Sequence, residues 1–314
     1  MIDIVVTYLN ERDEKWQEDY KYWKEKEIQE GKARPDNRQA FGEERIREWD
    51  AFKYWFRGIQ KNCPWVHKVF LIVQNERHVP EWLNTDYEKV RVVYHDEFIP
   101  KEFLPTFNPM TIGMYISNIK DLSDTYIMCD DDFYFLNYID ENRFFIGNKP
   151  VHLDNKTHFK YYYGDALKGS DNVFYRILNN NLEFEQRYMK DKVKYGFYHL
   201  PSARVKSFEQ EILRDNIDEI NNRNSHSKFR NQFNLCNYMF DDLLKIRKKA
   251  ILCNPYYNCS YCTLKSDVDF DTYADKDIVC FNDTEQLDDY NKTKEKLIEF
   301  LNKKFPNKSV YEKE

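Results

Sequence analysis

No run of apolar residues in this sequence is long enough to cross a bilayer, and its start lacks the basic segment and apolar stretch of a secretory leader. Met1 leads straight into Ile2-Asp3-Ile4-Val5-Val6. The expectation is a cytoplasmic protein, at most in peripheral contact with the inner face of the plasma membrane. An excess of positive charge is also missing. With 48 basic against 54 acidic residues the net charge is −6, which argues against a general nucleic-acid binder. The seven cysteines are odd in number and scattered, so no disulfide framework is expected. There is no internal repeat and no low-complexity tract, which sets aside repeat architectures. What is present is a 314-residue chain, 41% hydrophobic and 17% aromatic. A chain of that length buries roughly three quarters of its unfolded surface, and the composition suits a globular enzyme or a sugar binder.

The most informative local feature is Asp130-Asp131-Asp132, which follows the apolar run Thr125-Tyr126-Ile127-Met128-Cys129. The run reads as a short buried strand. Adjacent carboxylates repel one another and are costly to bury unless paired or metal-bound. The cluster therefore reads either as a solvated acidic turn or as a site for a hard divalent cation, Mg²⁺ or Mn²⁺, carrying phosphates. In open α/β sheets ligands sit beyond the carboxyl ends of the strands, where this cluster falls.

Further strands are expected at Ile2–Tyr8, Val69–Gln74 and Val90–Tyr94, and a short one at Ile278–Phe281. Helical spacing marks Arg45–Asn62, with Ile46, Trp49, Phe52, Phe56 and Ile59 on one face. It also marks Thr111–Ile119, Asp171–Lys190, Ser207–Asn221, Gln232–Lys249 and Thr284–Lys304, with Thr284 as the last helix's N-cap. Gly31–Gly42 reads as an exposed loop. This alternation gives an α/β fold with a mostly parallel sheet flanked by helices. The whole chain, 1–314, is expected to be a single catalytic domain with a helical subregion inserted at 165–250.

Several constellations bear on chemistry. Arg47, Asp50, Tyr54 and Arg57 form a second stripe on the expected 45–62 helix, and guanidinium groups match phosphate oxygens bidentately; the alternative is an exposed ion pair. Lys228 and Arg230 lie in a polar, cationic entrance to the next helix, where anions bind well. Asn282-Asp283 ends the last strand much as the triple aspartate ends another, either converging on one pocket or serving as a turn. Cys253, Cys259, Cys262 and Cys280 raise a structural zinc site, although their outer spacings fit no common motif and buried free thiols are the default.

Together these pieces resemble the Stealth family of sugar-phosphate transferases, which includes bacterial capsule polysaccharide phosphotransferases and the lysosomal-enzyme N-acetylglucosamine phosphotransferase. Four ordered blocks carry the resemblance. The first is Ile2 to Tyr8. The second runs from Arg47-Glu48-Trp49-Asp50 through Lys53 to Ile59, Pro64-Trp65-Val66, Pro80 to Asn84, His95-Asp96 with Ile99-Pro100 and Leu104-Pro105-Thr106-Phe107 to Asp131-Asp132. The third is His199-Leu200-Pro201 with Ser227 to Arg230, and the fourth is Cys280 to Asp283.

The resemblance implies a Rossmann-like catalytic domain with a divalent metal. It implies transfer of a sugar 1-phosphate from a UDP-sugar donor to a hydroxyl of a glycan or lipid-linked glycan acceptor. A phosphodiester forms and UMP is released, in the synthesis of capsular or other cell-surface polysaccharide. By the same analogy Asp132, His199 and Arg230 fall on catalytic or phosphate-binding positions, Thr7 and Tyr8 lie beside the nucleotide, and Asp13 stands at an expected acidic position. The metal is assigned to Asp131, Asp132 and Asp283. Five departures from the family pattern stand out: Asn10 and Glu11 in place of aspartate and glycine, Gly113 in place of glutamate, Ser117 in place of histidine and Asp130 in place of asparagine.

In the expected reaction His199 or Asp132 takes the acceptor's proton, while Arg230, with Arg47 or Arg57, neutralises the phosphate oxygens. Two other readings fit the same residues. One is a metal-dependent GT-A-like glycosyltransferase releasing UDP. The other is a glycan-binding protein with a vestigial site, which the Tyr and Trp content and Gly113 would suit.

Overall fold

The computed structural model describes residues 1–154, 172–189, 199–253 and 258–314. Its centre is a five-stranded sheet in the order β3-β2-β1-β4-β8. The strands are β1 (Asp3–Thr7), β2 (Val69–Val73), β3 (Val90–Tyr94), β4 (Thr125–Cys129) and β8 (Ser202–Val205). The first four are mutually parallel, and β8 joins β4 antiparallel with Ala203 opposite Ile127. The strands are mostly apolar, with Asp3, Arg91 and Arg204 as the charged exceptions, because both faces of this sheet are covered. Alternate side chains go to opposite faces. Ile4, Val6, Leu71, Val73, Ile127 and Cys129 join one core, while Val5, Phe70, Ile72, Val93 and Tyr126 join the other.

The first core is closed by two helices, α3 (Phe52–Asn62) and α9 (Tyr290–Lys304), through Trp55, Phe56, Ile59, Leu297 and Leu301. The second is closed by α7 (Lys206–Asn224) and α8 (Met239–Ile246), through Phe208, Ile212, Met239 and Leu243. The remaining helices are α1 (Glu14–Gln29), α2 (Arg38–Phe41), α4 (His95–Phe98), α5 (Pro109–Met114) and α6 (Val173–Glu185). Among the described residues no helix is long and apolar enough to cross a membrane.

The mostly parallel α/β architecture is as the sequence implies, with differences of detail. The strand expected at Ile278–Phe281 forms as β11 (Ile278–Asn282), but it lies between β10 (Cys259–Thr263) and β5 (Phe133–Phe135) in a separate three-stranded sheet. A second small sheet is built from β6 (Phe145–Ile146), β7 (Lys149–Leu153) and β9 (Ile251–Cys253). The span 165–250 also holds more than helices, since β8 arises within it and completes the central sheet; Asp171 and Lys190, the ends of one expected helix, lie outside the described residues.

The helix expected over Arg45–Asn62 begins only at Phe52. Asp50 takes φ 54° there, its amide donating to Glu48 Oε1 (2.6 Å) and its carboxylate pairing with Arg12 and Lys294. The Glu48 bond competes locally with helix formation, and the ion pairs to Arg12 and Lys294 hold Asp50 there from distant segments. The last helix begins at Tyr290 with Asp289, not Thr284, accepting from the Lys292 amide. The four cysteines considered for zinc do not gather: Cys253, Cys259 and Cys262 sit on β9 and β10, and Cys280 turns toward Asp132.

Candidate active site

The carboxyl ends of β1 and β4 open into a cavity of about 1000 Å³. Thr7, the last residue of β1, forms part of its wall. Tyr8 follows, stacked on Phe52 with ring centroids 4.6 Å apart and donating its hydroxyl to Glu48 Oε2 at 3.3 Å. Burial and the nearby Glu48, Glu11 and Asp131 carboxylates hold the Tyr8 phenol protonated. The triple aspartate leaves the end of β4 and enters the same space.

His199, just before β8, faces these carboxylates from the neighbouring strand's side. Its Nδ1 lies 3.0 Å from the Tyr238 hydroxyl and its Nε2 lies 3.7 Å from Asp132 Oδ2, with Asp130 Oδ2 4.0 Å from Nδ1. Its ring rests on Phe133, centroids 4.8 Å apart. Burial opposes charge on this imidazole, but the Asp132 and Asp130 carboxylates outweigh it and raise its pKa above the ordinary histidine value. Burial raises the Asp130 carboxyl, an effect that His199 opposes and Asp132 reinforces. Asp131 opens to the cavity, yet the walls around it and the flanking aspartates push its carboxyl well above the usual range.

Such a donor set fits a hard divalent cation. Asp132 Oδ1 is buried without a hydrogen-bond partner among the described residues. Asp132, His199 and Cys280 bring ligand atoms within 4.8 Å of one another. Cys280 is a donor at present: burial and the adjacent Asp132 keep it a thiol, with Sγ 3.2 Å from Asp132 Oδ2.

Arg230 enters the same cavity from the segment before α8, close enough to act on both Asp130 and His199. Its Nη1 donates to Gln39 Oε1 at 3.1 Å, and burial together with Arg45 pushes its pKa down to about 10. Thr7, Tyr8, Arg47, Asp131, Asp132, His199, Arg230, Asn282 and Asp283 thus share one cavity.

Five residues expected in the site are elsewhere, each for a visible reason. Asp13 is the N-cap of α1, accepting the Trp16 amide at 2.7 Å and pairing with Arg77 at 3.0 Å. Asp50 is held outside the cavity by Arg12 and Lys294. Tyr54 is buried and donates to Asn302. Arg57 is buried against Glu312. Lys228 donates to the Leu104 carbonyl at 3.2 Å, while its own amide donates to Glu27 at 2.6 Å. The stripe of Arg47, Asp50, Tyr54 and Arg57 does not exist, because its first two members precede the helix.

Asp283 also differs from its assignment as a metal ligand. Arg47 Nη1 reaches both its oxygens, at 2.6 and 2.8 Å, and Trp49 Nε1 donates to it at 3.2 Å. Its carboxylate is committed to fixing Arg47 rather than to joining Asp131 and Asp132. Of the five departures from the family pattern, Glu11, Gly113 and Asp130 border the cavity. A Cβ on Gly113 would come within 2.6 Å of Asn237 Nδ2, so the Asn237 side chain occupies that space. Sequence reasoning passed over Gln39, Arg45, Glu48 and Tyr238, all in the cavity wall. Arg45 carried a usable signal, since it adjoins the block that begins at Arg47.

Residues 45–152 match conserved region 2 of the Stealth proteins (Stealth protein CR2). The chain is 29% identical to capsular polysaccharide phosphotransferase WcwK of Streptococcus pneumoniae, covering 99% of this chain and 98% of that protein. It is 35% identical to capsular polysaccharide phosphotransferase eps5J of Streptococcus thermophilus over 52% of this chain and 71% of that one. It is 25% identical to exopolysaccharide phosphotransferase cps2G of Lactiplantibacillus plantarum over 99% and 96%. The chain belongs to the Stealth family and is a transferase enzyme of the phosphotransferase kind.

Proposed function

We propose that this enzyme moves a sugar 1-phosphate from a UDP-sugar to a hydroxyl of a glycan or lipid-linked glycan acceptor, in the synthesis of capsular or other cell-surface polysaccharide. The reaction belongs to the cytoplasmic side of the membrane. The observation that carries the proposal is His199 lying 3.7 Å from Asp132 in a cavity that Arg230 also lines. A base, an acidic rim and a cation around one space are what in-line attack on a phosphorus requires.

The acceptor oxygen bonds to the β-phosphorus, and the bond from that phosphorus to the bridging oxygen breaks. UMP leaves with the electron pair. The acceptor proton passes to His199 Nε2 or to the Asp132 carboxylate beside it. Tyr238 holds the other imidazole nitrogen, so the ring keeps one orientation through the transfer. Arg230 balances charge on the phosphate oxygens. Asp131 and Asp132 would hold a Mg²⁺ or Mn²⁺, which when bound supplies charge neutralisation at the diphosphate.

The test is a nucleotide-release screen of UDP-sugars with candidate acceptors and either metal, followed by mass analysis of the product. UMP and a phosphodiester are expected. Release of UDP would mean glycosyl transfer, and no turnover with any UDP-sugar would sink the donor reading. His199→Ala and Arg230→Ala should each abolish turnover while the fold persists. Near-normal rates in both would overturn the assignment.

A further inference from the structure

Arg45 has no role in the reaction just described, yet its surroundings are unlike those of its neighbours. Arg47 is neutralised by Asp283 and Arg57 by Glu312. Among the described residues neither Arg45 nor Arg230 has a carboxylate partner, and the Nε of each is buried without a hydrogen bond. Both guanidinium groups instead converge on one neutral atom: Gln39 Oε1 accepts from Arg45 Nη2 at 3.4 Å and from Arg230 Nη1 at 3.1 Å. Two like charges are therefore held side by side at a cavity wall, joined by a neutral amide oxygen, with the Asp130 carboxylate acting on Arg230 from beyond ion-pair distance.

The chain builds this pair deliberately from distant segments. Asn37 Nδ2 donates to the Arg230 carbonyl at 2.9 Å, and Phe41 packs edge-on against Phe229 with centroids 5.1 Å apart. Tyr20 fixes the same stretch by donating to the Ala40 carbonyl at 3.1 Å. Like charges in a partly dry site repel unless an anion joins them, and planar guanidinium forks match paired phosphate oxygens.

We propose that Arg45 and Arg230 form a two-armed clamp on the donor's diphosphate, with Gln39 as the positioning residue that spaces the arms. The clamp rests on the UDP-sugar reading for its natural ligand, but its chemistry is that of any diphosphate. Gln39 suits the task because a carboxylate there would itself neutralise the arms and displace the phosphates.

The full chain is titrated calorimetrically, without metal, against uridine, UMP, UDP and inorganic pyrophosphate. Circular dichroism confirms that each variant is folded. Arg45→Met and Gln39→Glu should each weaken UDP and pyrophosphate by about tenfold to a hundredfold, the loss of one charge-assisted contact, and leave uridine unchanged. A structural defect would weaken all ligands together. Arg45→Lys should recover part of the loss, as a charge without the fork. If both variants bind UDP and pyrophosphate like the parent, the clamp is wrong and the donor reading stands. If the parent binds pyrophosphate through Arg45 but no uridine nucleotide, the clamp stands and the donor reading fails. If the parent binds neither anion, the clamp is wrong.

Discussion

Arg57 separates two accounts of this molecule, because its place in a polar stripe points to the site while the structure points to stability. Its Nε and Nη2 meet the two Glu312 oxygens at 2.8 and 2.7 Å, and its Nη1 donates to the Phe305 carbonyl at 2.9 Å. The two side chains are only 9% and 5% exposed. Arg57→Ala would strand the Glu312 carboxylate with Ser309 as its remaining donor and remove the cation over the Tyr54 ring, 4.9 Å from its centroid. Breaking a buried pair by deleting one partner costs about 3–5 kcal/mol. In urea unfolding followed by tryptophan fluorescence this should lower the midpoint by about 1 M or more. Below the transition, UDP affinity should match the parent's. The double variant Arg57→Met with Glu312→Leu should recover most of the loss, since a buried pair contributes little beyond what packed apolar groups supply. An unchanged midpoint together with lost UDP binding would refute this reasoning and return Arg57 to the site.

Asp132→Asn should weaken Mn²⁺ binding, read by electron paramagnetic resonance, by at least tenfold, while Asp283→Asn should leave it within a factor of about two because Asp283 is engaged by Arg47. Equal effects of the two would contradict the site as drawn. Glu209 is buried, which lifts its carboxyl to about 7 although Arg204 opposes the shift, and it accepts the Tyr126 hydroxyl at 2.7 Å. Between about pH 4.5 and 7 the folded chain keeps a proton at Glu209 that the unfolded chain has released, so this residue makes stability fall as pH rises through that window. Glu209→Gln should make the change in stability from pH 5 to pH 7 more positive than the parent's in parallel urea titrations; an identical or more negative change would sink the argument.

Much of the central sheet was legible because its strands are mostly apolar on both faces and end in turn residues. The triple aspartate could be placed by the rule that ligands lie beyond the carboxyl ends of parallel strands. What was not legible was set by contacts across long sequence distances. The helical period over 45–62 is real, but Asp50 is claimed by Arg12 and Lys294, and the helix starts late. Arg47 and Asp283 are 236 residues apart, so no local pattern could show that each engages the other. Tyr238 stands beside His199 only because β8 and the start of α8 meet next to β4. Gln39 fell in a stretch that reads as a loop, and its meaning appears only once Arg230 is beside it.

The bond between α3 and Glu312 also sets a clock for synthesis. Its two members are 255 residues apart, and a ribosome adding about 5–20 residues per second takes roughly 10–50 s to cover that distance. For that interval the emerging amino-terminal half carries an unanswered guanidinium and uncovered aromatic surface. The early portion of this chain therefore has to wait for its late portion, and any ribosome-associated chaperone has its window there.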